Sequence, residues 1–341
     1  MRVEGTCDII ESDTMSTSKN NQTSATTFSQ SKTAAAISYI PDQDPNFVPF
    51  GSYNDVEMII ASGKFFPFQL CGLSGCGKTL QIEQACAATR RELVRAPITI
   101  ETDEDSLIGH YILENGDTYF QYGPVVVAML RGAVLLLDEF DKASSRIMCL
   151  QPVLEGKPLL IKKTNELIYP APGFNVCSTA NTKGQGDESG KFVSSNVMDE
   201  AFLERFAIAY DCDFPDPEVE KSILTKVMGS HGINDTKFAK HLTNWAENIR
   251  NVARQGNASD LITTRRLVHI VNAYAIMTGG TDRLKAIRLC LSRLNRDLFE
   301  GWIQAYEAID GDHLNQNPPK KSSDIAKSAF TTAASDDDTP W

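Results

Sequence analysis

The sequence predicts an α/β fold, a parallel sheet covered by helices on both faces, followed by a small all-helical domain. Three observations point to it. From residue 65 to about residue 206, short apolar runs of strand length alternate with helical patterns, the signature of βαβ units and a parallel sheet. One strand-to-helix junction, CGLSGCGKTL, holds a complete glycine-rich loop. After CDFPDPEVE, where Pro215 and Pro217 mark a boundary, the remaining periodic segments are all amphipathic helix.

The elements follow in order. Residues 12–36 and the tail from about 313 are rich in Ser, Thr, Asn, Gln and Ala, with little to bury, so both are expected to be disordered. This divides the 341 residues into a polar arm (1–44), an α/β core (45–214), a helical lid (215–311) and a tail (312–341). In the core, FFPFQLC reads as a strand and TLQIEQACAATRRELV as a helix. AVLLLDE is the next strand, SRIMCLQPVLEG is helical, FNVCSTAN is a third strand, and a helix ends at AFLERF. In the lid, KSILTKVM, KFAKHLTNWAENIRNVA, TTRRLVHIVNAYAIMTG, RLKAIRLCLSRL and LFEGWIQAYEAI each carry helical periodicity.

Composition narrows the function classes. The start, MRVEGTCDIIESD, lacks the charge pattern and apolar block of a secretory signal, and the longest apolar runs, such as VVVAML, stop far short of a membrane span. The cytoplasm is the expected compartment, with no membrane partner. The eight cysteines form no CxxC pair, and several lie in apolar runs, so they read as buried structural thiols. A net charge of −11 counts against a dedicated nucleic-acid binder.

Chemistry concentrates in the first half. Gly72, Gly75, Gly77, Lys78 and Thr79 fit GxxxxGK[ST] in full, with Ser74, Cys76 and Leu80 completing the loop and the turn after it. Glycines let the backbone N–H groups wrap the phosphates of ATP, the lysine reaches the β- and γ-phosphates, and the threonine offers its hydroxyl to Mg²⁺. The strand GAVLLLDEFDK delivers Asp138, expected to hold Mg²⁺ through water, and Glu139, expected to polarise the attacking water. Asn181 should end a neighbouring strand beside the γ-phosphate, where a neutral amide orients water without adding negative charge. Arg205 and Arg265 are candidates to face the transferred phosphate, with Arg266 an alternative to Arg265. A second glycine-rich run, STANTKGQGDESGK, fails as a phosphate loop because Gln185 stands where glycine is needed and Phe192 where Ser or Thr is needed. Its remainder reads as a loop.

Together these motifs resemble those of an AAA+ ATPase, which implies an AAA+ P-loop NTPase core. DSLIGHYILENGDTYFQYGPVVVAMLRGAVLLLDEFDKA and LEGKPLLIKKTNELIYPAPGFNVCSTAN resemble the helix-2 insert and the hairpin before sensor 1 in the MoxR branch. TANTKGQGDESGK, IEQ and DQDPNF are similar to segments of the cobaltochelatase ATPase subunit (CobS-type) of that branch. The resemblance covers about residues 41–310. It implies Walker A at Gly72, Gly75, Gly77, Lys78 and Thr79, Walker B at Asp138 and Glu139, sensor 1 at Asn181, an arginine finger at Arg205 and sensor 2 at Arg265. The cofactors implied are ATP and Mg²⁺.

The finger acts across a subunit boundary, so the resemblance also implies a homo-oligomeric ring, usually a hexamer. It further implies a von Willebrand-type (CobT-like) subunit and a large chelatase subunit that inserts cobalt into a corrin precursor, in cobalamin biosynthesis. The alternatives are a MoxR-type chaperone that activates another metalloenzyme, a nucleic-acid motor and a non-hydrolysing scaffold. The acidic charge disfavours the nucleic-acid motor, and the intact catalytic motifs disfavour the scaffold.

Overall fold

In a computed structural model, residues 39–182, 199–255 and 260–311 are described. Expectations for residues 1–38, for the GQGDESGK loop and for the tail fall outside them. The chain enters with α1 (Tyr53–Ala61) and β1 (Phe68–Gly72), then α2 (Lys78–Ala88), β2 (Leu93–Pro97) and the short α3 (Glu104–Leu107). A hairpin, β3 (Gly109–Glu114) and β4 (Asp117–Tyr122), precedes α4 (Pro124–Arg131) and β5 (Val134–Asp138). After α5 (Gln151–Leu154) comes a second hairpin, β6 (Leu159–Ile161) and β7 (Glu166–Ile168). Then follow β8 (Asn175–Ala180), α6 (Glu200–Leu203) and β9 (Ile208–Cys212).

Five strands form one parallel sheet in the order β2-β5-β8-β1-β9. The run VLLLD is buried at all five positions, and it splits by parity. Leu135 and Leu137 join the cluster under α4, while Val134 and Leu136 join the cluster under α1 and α2. A strand covered on both faces therefore reads as continuously apolar. All five pieces of sheet end their strands at the same edge, and the register puts Asp138 beside Pro97 and Leu137 beside Ser178.

Three sequence expectations change. TLQIEQACAATRRELV is helix only to Ala88. Arg90 adopts a left-handed φ of 54°, and Leu93 and Val94 pair with β5 as strand β2. Strand pairing overrides helical propensity there. The helix before Phe206 is a single turn, and β9, unread in the sequence, follows it on the outer side of β1. Residues 39–44, assigned to the polar arm, pack on the core. The Tyr39 carbonyl accepts from Leu93 N–H at 2.9 Å, and buried Gln84 binds the backbone of Asp42 and Asp44.

The last part is all helix: α7 (Pro217–Ser230), α8 (Thr236–Arg254), α9 (Thr264–Thr278), α10 (Arg283–Leu291) and α11 (Arg296–Ile309). Its own core contains Phe238, Trp245, Tyr274, Trp302 and Tyr306. Asp side chains at 235 and 282, Thr263 and Asn295 cap four of these helices at their N-termini. No helix among the described residues is long and apolar enough to cross a membrane.

Candidate functional site at the core–lid cleft

The site grows from the C-terminal edge of the sheet. β1 runs into a loop that turns back on itself before α2, and this needs glycine. Gly75 and Gly77 have φ of +77° and +97°, and a Cβ on Gly75 would lie 2.8 Å from the Thr263 Cβ. Gly77 is the left-handed N-cap of α2, so the free N–H groups of an eleven-residue helix open toward the loop. A backbone cradle that cannot accept side chains is what a polyphosphate requires.

Lys78 is buried and reaches back under the loop. Its Nζ donates to the carbonyls of Gly72 at 2.6 Å and Leu73 at 3.0 Å, and to Asn181 Oδ1 at 3.3 Å. The next residue faces Walker B, with Thr79 Oγ1 donating to Asp138 Oδ1 at 3.0 Å. Thr179, on β8, donates to the same oxygen, and the guanidinium of Arg95, on β2, holds Oδ2. Burial pushes the Asp138 carboxyl up, but the bonds from Thr179, Arg95 and Thr79 outweigh it and hold it below the usual carboxylate range. A hydroxyl and an ionised carboxylate, both hard oxygen donors, fit Mg²⁺, which takes few protein ligands and fills its remaining positions from phosphate and water.

Glu139 follows in a left-handed conformation, φ 58°, with its side chain half exposed and Oε2 paired to Lys142 at 2.5 Å. Its N–H donates to Thr179 Oγ1 at 3.0 Å, so one threonine binds both Walker B acids. Asn181 is fixed from behind. Buried Asp141 Oδ2 accepts from the N–H groups of Asn181 and Thr182, at 3.1 and 3.2 Å.

These groups line a cleft of about 540 Å³ between core and lid. Ser74, Gly75, Cys76, Gly77, Lys78, Thr79, Leu80, Asp138, Glu139 and Asn181 reach it from the core, and Arg265 reaches it from the first turn of α9. Gly72 starts the loop and binds Lys78. Of the two adjacent arginines, only Arg265 lines the cleft; the backbone N–H of Arg266 takes the Thr263 cap. Arg205 is not brought to it. Its Nε pairs with Glu155 at 3.0 Å, and its guanidinium lies 5.9 Å from the Phe202 ring.

The cleft also has an apolar wall, formed by Phe47, Val48, Phe50, Ile223, Val227 and Val268. Apolar walls beside a glycine-lined loop with Lys78 suit a nucleoside polyphosphate. Sequence reading missed this wall, along with Arg95 and Thr179. Phe50 would lie 3.1 Å from a Cβ on Gly77, and the Lys226 ammonium donates to the Phe47 carbonyl at 3.0 Å. Those neighbours are set by tertiary register and leave no local signal. Cys76, Cys86 and Cys177 are buried: burial raises the thiols of Cys76 and Cys177 and pushes Cys86 up to about 12.

Residues 67–206 match the AAA domain of the dynein-related subfamily. The chain is 28% identical to Protein NorQ of Paracoccus denitrificans (strain Pd 1222), over 68% of this chain and 80% of that protein. It is 28% identical to Protein CbbQ of Hydrogenophilus thermoluteolus, over 74% and 89% of the two chains. The aerobic cobaltochelatase subunit CobS of Sinorhizobium sp is 24% identical, over 67% and 71%.

Proposed function

We propose, from the premise that this chain is an AAA+ protein of the MoxR branch, that it is a Mg²⁺-dependent ATPase working as a ring motor on a partner protein. One observation carries the reading: Lys78, Thr79, Asp138 and Asn181 of the core and Arg265 of the lid meet in a single cleft. A nucleotide seated there touches both parts of the chain, so loss of its γ-phosphate changes how core and lid are held together.

The chain's own groups divide the work. The loop N–H groups and Lys78 bind the β- and γ-phosphates. Thr79 and Asp138 hold Mg²⁺, which when bound draws charge from the phosphate oxygens. Glu139, after leaving Lys142, takes a proton from the attacking water, and the Asn181 amide orients that water. Arg265 stabilises charge on the transferred group from the lid side, and Arg205 does so from a neighbouring subunit. The direct test is phosphate release at ring-forming protein concentration. It should require Mg²⁺ and stop in EDTA; an absence of turnover in Mg²⁺ contradicts the reading.

For the cargo, likeness to CobS and the TANTKGQGDESGK run support cobalt insertion into a corrin precursor, with metal and tetrapyrrole held by partner subunits. Likeness to NorQ and CbbQ, at slightly higher identity, supports a second reading, a MoxR-type activator of another enzyme. Affinity capture in a slowly hydrolysed ATP analogue separates them. Recovery of a large chelatase subunit supports the first; a von Willebrand-type partner without that subunit supports the second.

A further inference from the structure

The lid contains a buried carboxylate to which the mechanism above assigns no task. Glu220, on α7, has 1% of its side chain exposed. Its oxygens accept from both terminal nitrogens of Arg250 on α8, at 2.8 and 3.0 Å, and Oε1 also accepts from the Thr264 hydroxyl at 2.7 Å. Arg250 directs Nε to the Ile262 carbonyl at 2.9 Å. Its guanidinium stands 4.1 Å from the Phe214 ring, in the connection between core and lid. Four parts of the chain thus meet on one ion pair.

Replacing a buried ion pair by apolar packing is often neutral or stabilising, so the pair's value lies in what it holds in place. What it holds is the start of α9. Thr264 is the first residue of that helix and lines the nucleotide cleft. On one side of it is Thr263, packed against Gly75 of the phosphate loop. On the other is Arg265, whose N–H faces the Gly75 carbonyl at 3.4 Å and whose side chain lines the cleft. A change in the phosphate loop therefore meets a helix start that is anchored from behind.

We infer that Glu220 and Arg250 are positioning residues for the nucleotide site: through the Thr264 hydroxyl they hold the first turn of α9, and with it Arg265, against the phosphate loop. This rests on the ATPase reading. In that reading Arg265, which lines the cleft, faces the transferred phosphate, so losing the anchor weakens ATP more than ADP, an asymmetry that a general loss of folding does not produce.

The experiment measures affinities for fluorescently labelled ATP and ADP, with Mg²⁺, in the full chain and in Thr264→Val, Thr264→Ser and Glu220→Gln. Thr264→Val removes only the hydroxyl and keeps the shape. It should weaken ATP about tenfold and ADP by less than about threefold, and Thr264→Ser should return ATP to within about threefold of the parent. Glu220→Gln should act with the same sign. An unchanged ATP-to-ADP affinity ratio in Thr264→Val overturns the inference, whatever happens to its melting temperature. A parent protein that binds neither nucleotide overturns the ATPase reading together with the inference, and the parent is measured before any variant.

Discussion

Gly75 shows how much one residue position can determine here. It has a left-handed φ, and the lid stands so close that an added Cβ would lie 2.8 Å from Thr263. Gly75→Ala therefore strains the loop and pushes α9 away, at a cost of about 1–3 kcal/mol. The predicted outcome is a rise in KM for ATP together with a melting temperature lowered by a few degrees; a variant with parental KM contradicts the contact. Asp138 works differently. Its three side-chain donors come from α2, β2 and β8 and keep it ionised while it is buried.

The glycines, Lys78 and Thr79 are legible in the sequence because their spacing is local. Asp138 and Glu139 are legible because they end an apolar run. Arg95 and Thr179 are not, because each reaches Asp138 across a strand pairing that only the folded sheet creates.

Among the elements, the strands buried on both faces were the easiest to read, and the edges were the hardest. β2 follows a helix after a four-residue turn, and β9 alternates exposed and half-buried residues, so neither carries a long apolar run. The lid helices were legible from periodicity, but the polar cluster inside them was not. Arg283, buried in the lid, donates to both oxygens of Asp235 and to Asp310, while Tyr274 and Tyr306 bond the same two acids.

Asp310→Ala leaves Arg283 short of a partner and should cost about 3–5 kcal/mol of lid stability, read by chemical denaturation; a loss under about 1 kcal/mol contradicts the account. Burial pushes the Asp235 carboxyl up, but Arg283, the Phe238 N–H and the Tyr274 hydroxyl together outweigh it, and the folded value lies below the ordinary 3.8. Its stabilising effect is therefore present above 3.8 and lost as pH falls through the lower folded value. Asp235→Asn should flatten the acid limb of the stability curve; an unchanged limb argues against that pair.

At the scale of the molecule, the cleft is assembled from two packed bodies, one around the sheet and one among α7–α11, and Arg205 lies outside it. If Arg205 serves a neighbour's site, Arg205→Ala and Lys78→Ala should each be inactive alone, for different reasons. Mixed rings should regain part of the turnover, because some interfaces then pair an intact loop with an intact arginine. Mixtures as inactive as either variant would place Arg205 outside the reaction.

Whether this cleft hydrolyses ATP is decided by comparing nucleotide binding and phosphate release in the parent, Lys78→Ala and Glu139→Gln. Lys78→Ala should lose both, and Glu139→Gln should still bind ATP while releasing phosphate at least about a hundredfold more slowly. Parental turnover in either variant would contradict hydrolysis in this cleft.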